Sequence, residues 1–238
     1  MAKYALIGGK VNSSIIKNKI ERYLVDLTKK DKPVVLYCPY AVNDYTKSIN
    51  KFHELMKGIN VDIIDLNNDN ILSFDSLLTK SDILYIGGGS CDDLVRIFKE
   101  NGLDKILIKH MNDDIIYAGS SAGAMLYTKV SMGDKDMFSD NFHNYNYKMV
   151  ECLGLLNIGI CPHYQNEDLI IYNDEVLKYQ FDAFGIEEDC CLIIDNNNFY
   201  VVKEEKKNSV YLFDKDKNYQ MIPLYEGIMY EKNSSFRA

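Results

Sequence analysis

The segment Gly119-Ser120-Ser121-Ala122-Gly123 places a hydroxyl between two glycines, with the apolar run IIYA before it and AMLY after it. A G-x-S-x-G set between a strand and a helix is the pattern of a nucleophile elbow. Small neighbours permit a sharp turn that lifts the serine oxygen into a cleft and aims the next backbone N–H at a developing oxyanion. Ser121 is therefore the candidate nucleophile of an acyl transfer, and Ala122 a candidate oxyanion donor. Upstream, Gly87-Gly88-Gly89-Ser90 directly follows the run ILYI. Backbone without Cβ atoms can approach a substrate oxygen closely, so Gly88, Gly89 and Ser90 form a candidate oxyanion and substrate-binding loop, the Gly88 N–H acting with that of Ala122. A phosphate cradle fits less well. Neither G-x-G-x-x-G nor a Gly-Lys-Ser/Thr ending occurs there, and Asp92 and Asp93 open the following helix with the wrong charge.

Such an elbow needs a base. Of the four histidines, His163 follows Pro162 at the end of the strand-like NIGIC, which puts it on the same rim as the two glycine turns. An imidazole can take the serine proton during attack and return it to a leaving amine. His53 and His110 fall in amphipathic helical runs and His143 in a polar stretch, positions that suit structural or solvated roles. A carboxylate should orient the imidazole. Asp134, Asp136 and Asp140 lie between Ser121 and His163, and Glu187, Glu188 and Asp189 follow a Phe-Gly turn farther on. Asp136 is preferred because the order Ser, acid, His suits an elbow on an α/β sheet, with Asp134 and Glu188 as alternatives. Cys91 and Cys161 sit on no elbow, so a cysteine nucleophile is disfavoured.

These groups must be positioned by the elements around them. Apolar runs at Tyr4 to Gly8, Val34 to Tyr40, Val61 to Leu66, Ile83 to Ile86 and Ile115 to Ala118 read as buried strands. Between them, Ile15 to Leu27, Asp44 to Met56, Phe74 to Lys80 and Asp92 to Met111 carry apolar residues at helical spacing. Repeated βα units predict an α/β fold: a mostly parallel sheet flanked by helices, with ligands at the carboxyl ends of its strands. After Lys129 the stretch MGDKDMFSDNFHNYNYK reads as a long loop. Leu153 to Cys161 resumes a strand pattern and Asp168 to Tyr179 a helical one. Over residues 190–230 the segments FYVV, VYLF and MIPL predict antiparallel strands completing a single domain of residues 1–238.

Composition narrows the partners. With 27 basic and 35 acidic side chains the net charge is −8, so no cationic field favours nucleic acid or an anionic membrane surface. The opening MAKYALIGGK is too short an apolar stretch for a secretion signal, and no run is long enough to span a bilayer, so a cytoplasmic protein is expected. The six cysteines include no CxxC pair and read as buried thiols, with no metal, cofactor or disulfide framework expected. Charge and composition leave monomer and homodimer both open.

Taken together, YIGGGS, the GSSAGA elbow and CPHY, in this order over roughly Lys3 to Leu192, resemble the peptidase E and cyanophycinase family of serine peptidases. The resemblance implies a flavodoxin-like fold of the class I glutamine amidotransferase type, with Ser where those enzymes carry Cys. It also implies a Ser-His-Asp hydrolase of small peptides acting through an acyl-enzyme, in the manner of a dipeptidase. Carried over, the nucleophile falls on Ser121, the histidine on His163, the acid on Asp136 and the glycine run on Gly87 to Gly89. Two positions depart from the family. Ser90 stands where Asn or Gln is usual, and the stretch YQNEDLIIYNDEVLKYQ after His163 has Lys178 as its only cation, which argues against aspartyl specificity. The alternative is a non-catalytic amidotransferase-like module that keeps the elbow as architecture and binds a small ligand or partner protein at the same rim.

Overall fold

Alternation sets the first layer. In a computed structural model, which describes residues 2–10, 17–134, 147–164, 171–232 and 236, the run Lys3–Ile7 forms strand β1. Its Tyr4 and Leu6 point to one side of the sheet and its Ala5 and Ile7 to the other, each set joining a separate apolar cluster. With β2 (Val34–Cys38), β3 (Asp62–Asp65), β4 (Ile83–Ile86) and β5 (Ile116–Ser120) it builds a parallel array in the order β1-β5-β4-β2-β3. Helices α1 (Lys19–Leu27) and α2 (Tyr45–Leu55) cover one face through Ile20, Leu24 and Phe52. The short helix α3 (Phe74–Leu78), α4 (Cys91–Glu100) and α5 (Leu103–Lys109) cover the other through Phe74, Leu94, Phe98 and Leu107. Each such side chain, fully removed from water, contributes about 1.5–3 kcal/mol before chain entropy is set against it.

The α/β reading holds, with three corrections. First, the run from Asp92 to Met111 is two helices, α4 and α5, because Gly102 between them adopts a left-handed φ of 67°. Second, the stretch after Lys129 is not a loop from its start. Helix α6 (Ala122–Met125) leads into strand β6 (Thr128–Asp134), which pairs antiparallel with β7 (Tyr147–Glu151). Third, the later strands do not finish one sheet. Strand β8 (Leu156–Pro162) pairs parallel with β6 and with β9 (Ala183–Ile186), and β12 (Val210–Asp214) and β13 (Gln220–Leu224) extend this second sheet as β13-β12-β9-β8-β6-β7. Only β10 (Cys190–Asp195), β11 (Asn198–Lys203) and β14 (Tyr230–Glu231) join the first sheet, antiparallel, beside β1.

The second sheet packs on the α4–α6 side of the first, and Leu156, Ile158, Ile160, Phe184 and Leu212 share one core with Tyr4, Leu84 and Tyr117. Helix α7 (Ile171–Val176) covers its outer face through Tyr172 and Val176. The carboxyl ends of β5, β4 and β1 from one sheet and of β8 and β9 from the other therefore converge. Among the described residues no helix is long and apolar enough to cross a membrane.

Candidate active site

Convergence of those strand ends builds the site. Ser121 directly follows β5 and precedes α6 with φ 53° and ψ −117°, a backbone state rare for a residue with a side chain and the signature of a strained elbow. Two close approaches enforce the turn. A Cβ on Gly119 would lie 2.2 Å from the Gly123 carbonyl oxygen, and one on Gly123 would lie 2.1 Å from the Ile86 oxygen, so only glycine lets α6 sit down on β4 and β5. The Ser121 N–H donates to the Ile7 carbonyl at 2.9 Å, which fixes the elbow to β1 and leaves the side chain partly exposed. Ala122, the first helical residue, has an N–H with no acceptor within its helix.

His163 reaches this serine from the other sheet. It follows β8, and its N–H donates to the Gly8 carbonyl at 3.0 Å, which ties it to the end of β1. Its Nε2 lies 2.8 Å from Ser121 Oγ, and its Nδ1 lies 3.1 Å from Glu188 Oε1. The imidazole rests on Gly9, where a Cβ would lie 2.3 Å from ring carbon Cε1. Gly9 thus clears the space for the ring, a role foreshadowed only by the Gly-Gly pair closing the first strand. Glu188 sits in the turn between β9 and β10, where Asn208 Nδ2 donates to its carbonyl at 2.7 Å. The hydrogen bond from His163 holds the Glu188 carboxyl below its usual range against the opposing effect of partial burial.

The neighbouring acids face elsewhere. Glu187 accepts from the Ser209 N–H at 2.7 Å and from the Tyr211 hydroxyl, and Asp189 pairs with Lys17 at 3.2 Å. Asp136, the acid expected from chain order, and Asp140 lie outside the described residues, and Asp134 is the last residue of β6. His53 and His110 bind Asp65 and the pair Asp75 and Asp113, away from the elbow.

The glycine loop is anchored at both ends. Gly87 N–H donates to Cys38 O at 2.9 Å and Ser90 N–H to Ala41 O at 2.7 Å, so the middle of the run carries the N–H groups that could serve a substrate oxygen. Gly88 faces the elbow, a Cβ there falling 3.1 Å from Ser121 Cβ, whereas Gly89 packs on the Ala41 carbonyl. The Ser90 hydroxyl caps α4 by accepting from the Asp93 N–H at 3.2 Å. Cys91 and Cys161 are buried. A contact with Cys152 and burial push the Cys91 thiol up, and burial does the same to Cys161, which opposes a thiolate at either position. Among the described residues no cluster of His, Cys, Asp or Glu could hold a metal ion.

A serine oxygen, an imidazole and a carboxylate in hydrogen-bonded series beside a glycine loop can perform acyl transfer, and comparison with known proteins agrees. A model of peptidase family S51 matches residues 5–202. The chain belongs to peptidase family S51. As an S51 member it is a serine-type peptidase, which decides between the catalytic and non-catalytic readings. This S51 chain is 24% identical over 168 residues to an uncharacterized peptidase of Bacillus subtilis (strain 168), covering 68% of each protein. It is 26% identical over 113 residues to an uncharacterized peptidase of Listeria monocytogenes, spanning about half of that relative (53%) and 46% of its own length. In fold, the S51 chain is similar to a peptidase from an acI-B1 actinobacterium, with TM-score 0.73, 16% identity, and 98% and 97% of the two chains covered. A Listeria monocytogenes EGD-e protein named for peptidase E has TM-score 0.59 at 19% identity, with 85% of this chain and 98% of that one covered.

Proposed function

We propose that this S51 peptidase hydrolyses short peptides through a Ser121–His163–Glu188 relay and an acyl-enzyme. The observation that carries the reading is the unbroken series from Ser121 Oγ through both ring nitrogens of His163 to the Glu188 carboxylate, at 2.8 and 3.1 Å. With Glu188 ionised, the Nδ1 proton belongs between the ring and the carboxylate, and Nε2 is left as the acceptor for the serine proton. Ser121 Oγ then bonds to the scissile carbonyl carbon as its proton passes to His163, and the carbonyl oxygen gains the negative charge. The N–H groups of Gly88 and Ala122 receive that oxyanion. Collapse breaks the C–N bond while His163 returns the proton to the departing amine. Water repeats the sequence on the ester, releasing the acid and restoring Ser121.

The substrate class in this reading is the small peptide rather than the aspartyl peptide, since Lys178 is the sole cation in the stretch after His163 and it pairs with Glu175. The six free thiols support a reducing, cytosolic setting. A fluorophosphonate should add one phosphonyl group to Ser121 in the wild type and none in Ser121→Ala, read by intact mass and peptide mapping. Labelling at another residue, or none on folded wild-type protein, refutes the reading.

A further inference from the structure

A cleft of about 380 Å³ opens between α2 and the ends of β2 and β4, and Gly87, Gly88 and Ser120 form its edge beside Ser121. Its floor is aromatic. Tyr37 and Phe52 stack with centroids 4.0 Å apart, Tyr85 tilts against Phe52 at 4.8 Å, and all three are buried. Its rim is cationic: Lys47 and Lys51, one helical turn apart on α2, both line the opening and both are exposed. Among the described residues neither ammonium has a carboxylate partner. The third lysine of the lining, Lys10, is committed to Glu21 at 3.0 Å and Glu204 at 2.7 Å. Asp44, the lining's single carboxylate, caps α2 by accepting from the Lys47 N–H at 2.9 Å.

Two uncommitted cations over an apolar floor complement an amino acid that has an apolar side chain and a free carboxylate. The direction of the cleft says which part of the substrate this is. Gly88 and Ser120 line the cleft next to the elbow, and Lys10, the residue after the Gly9 that carries the His163 ring, lines it as well, so the cleft adjoins both the elbow and the stretch beneath the imidazole that serves the departing amine. Ser90, on the far side of the glycine run, takes no part in the lining. We propose that this cleft binds the residue released by hydrolysis, its side chain over Tyr37 and Phe52 and its C-terminal carboxylate between Lys47 and Lys51. The assignment rests on the serine-peptidase reading above. It makes the enzyme a counter of residues: a chain continuing past the released residue forfeits the carboxylate contact.

The test uses paired dipeptides, X-Phe and X-Leu with each standard residue as X, supplied as free acids and as C-terminal amides. Full-length wild type is compared with the Lys47→Glu/Lys51→Glu double variant, and with Lys47→Gln/Lys51→Gln in case charge reversal impairs folding. In the wild type kcat/KM should favour the free acid over the amide, the preference should shrink as salt rises, and the double variant should lower it by about tenfold. Equal losses on acid and amide, or no wild-type preference for the acid, overturn the proposal. Peptide amides bearing Asp or Glu as X test the other source of a carboxylate. A loss that follows the acidic side chain rather than the C-terminus assigns the lysines to side-chain recognition and overturns the proposal too. Fluorophosphonate labelling on the same samples separates the levels: labelled enzyme that ignores the C-terminal carboxylate refutes the cleft, and folded but unlabelled enzyme refutes the nucleophile beneath it.

Discussion

Three side chains from three separate stretches meet at one point, and they were not equally visible beforehand. Ser121 is legible because an elbow is a local device: its glycines and flanking apolar runs lie within a few residues of it. His163 is legible because a Pro-His pair closes a strand. The carboxylate is not local at all. Glu187, Glu188 and Asp189 are consecutive, and only the packing of β12 and Lys17 against them decides that the outer two are occupied and Glu188 meets Nδ1. Chain order argued for Asp136 instead, and a rule of chain order carries no distance. The two assignments separate cleanly in kinetics. Glu188→Gln keeps the shape but removes the charge that stabilises the imidazolium, so kcat should fall by ~10²–10⁴-fold with little change in KM. Asp136→Asn should cost less than Glu188→Gln in the same assay, and the reverse order would hand the orienting role to Asp136.

At the scale of elements, period identified the βα units but misjudged their ends and interruptions. The apolar spacing from Asp92 to Met111 continues across Gly102, so periodicity alone joins α4 to α5 while the backbone turns there. Strand β6 escaped because Thr128 and Ser131 are buried and polar. Their hydroxyls satisfy each other at 2.8 Å, a pairing that hides a core strand behind a loop-like composition. Helix α5 also ends in a clamp that titrates. His110 bonds Asp75 in the first turn of α3 through Nε2 and Asp113 through Nδ1, both at 2.6 Å. Burial would lower the imidazole pKa, but the two carboxylates outweigh it and raise it above the ordinary value. A raised folded-state pKa gives stabilisation that is complete below the unfolded value and is lost as pH climbs through the folded one. Asp75, held low chiefly by Lys109 and then by His110, removes its share only as pH falls through its own depressed value. Wild type should therefore melt roughly 2–4 °C above His110→Gln below the ordinary imidazole pKa of about 6.5, with the gap closing as pH climbs through the raised folded-state value. A gap independent of pH would show that the charged form of His110 contributes nothing to the clamp.

The molecule as a whole is two sheets sharing one core, and this is what alternation cannot reveal. A segment such as VYLF announces a strand, but nothing within it says whether β9 or β11 is its partner. That choice is made by burial of Phe184, Leu212 and Phe199 in a core assembled from distant parts of the chain. The sheets are also joined by charge. Lys232, just past the edge strand β14 of the first sheet, reaches Asp182 before β9 at 3.1 Å and Asp214 at the end of β12 at 2.5 Å, and its side chain is 10% exposed. Burial alone would lower the Lys232 pKa, yet the two aspartates raise it, so the ammonium is held charged between the sheets. Removing it leaves Asp182 and Asp214 nearly buried, with the exposed Lys217 as the remaining ion-pair partner of Asp214. Lys232→Met should therefore cost about 3 kcal/mol and lower Tm by several degrees in calorimetry. Lys217, 58% exposed and 3.5 Å from the same Asp214, supplies the comparison: Lys217→Met should cost less than about 0.5 kcal/mol. If both variants melt together, the cluster does not hold the sheets, and the shared apolar core carries their attachment alone.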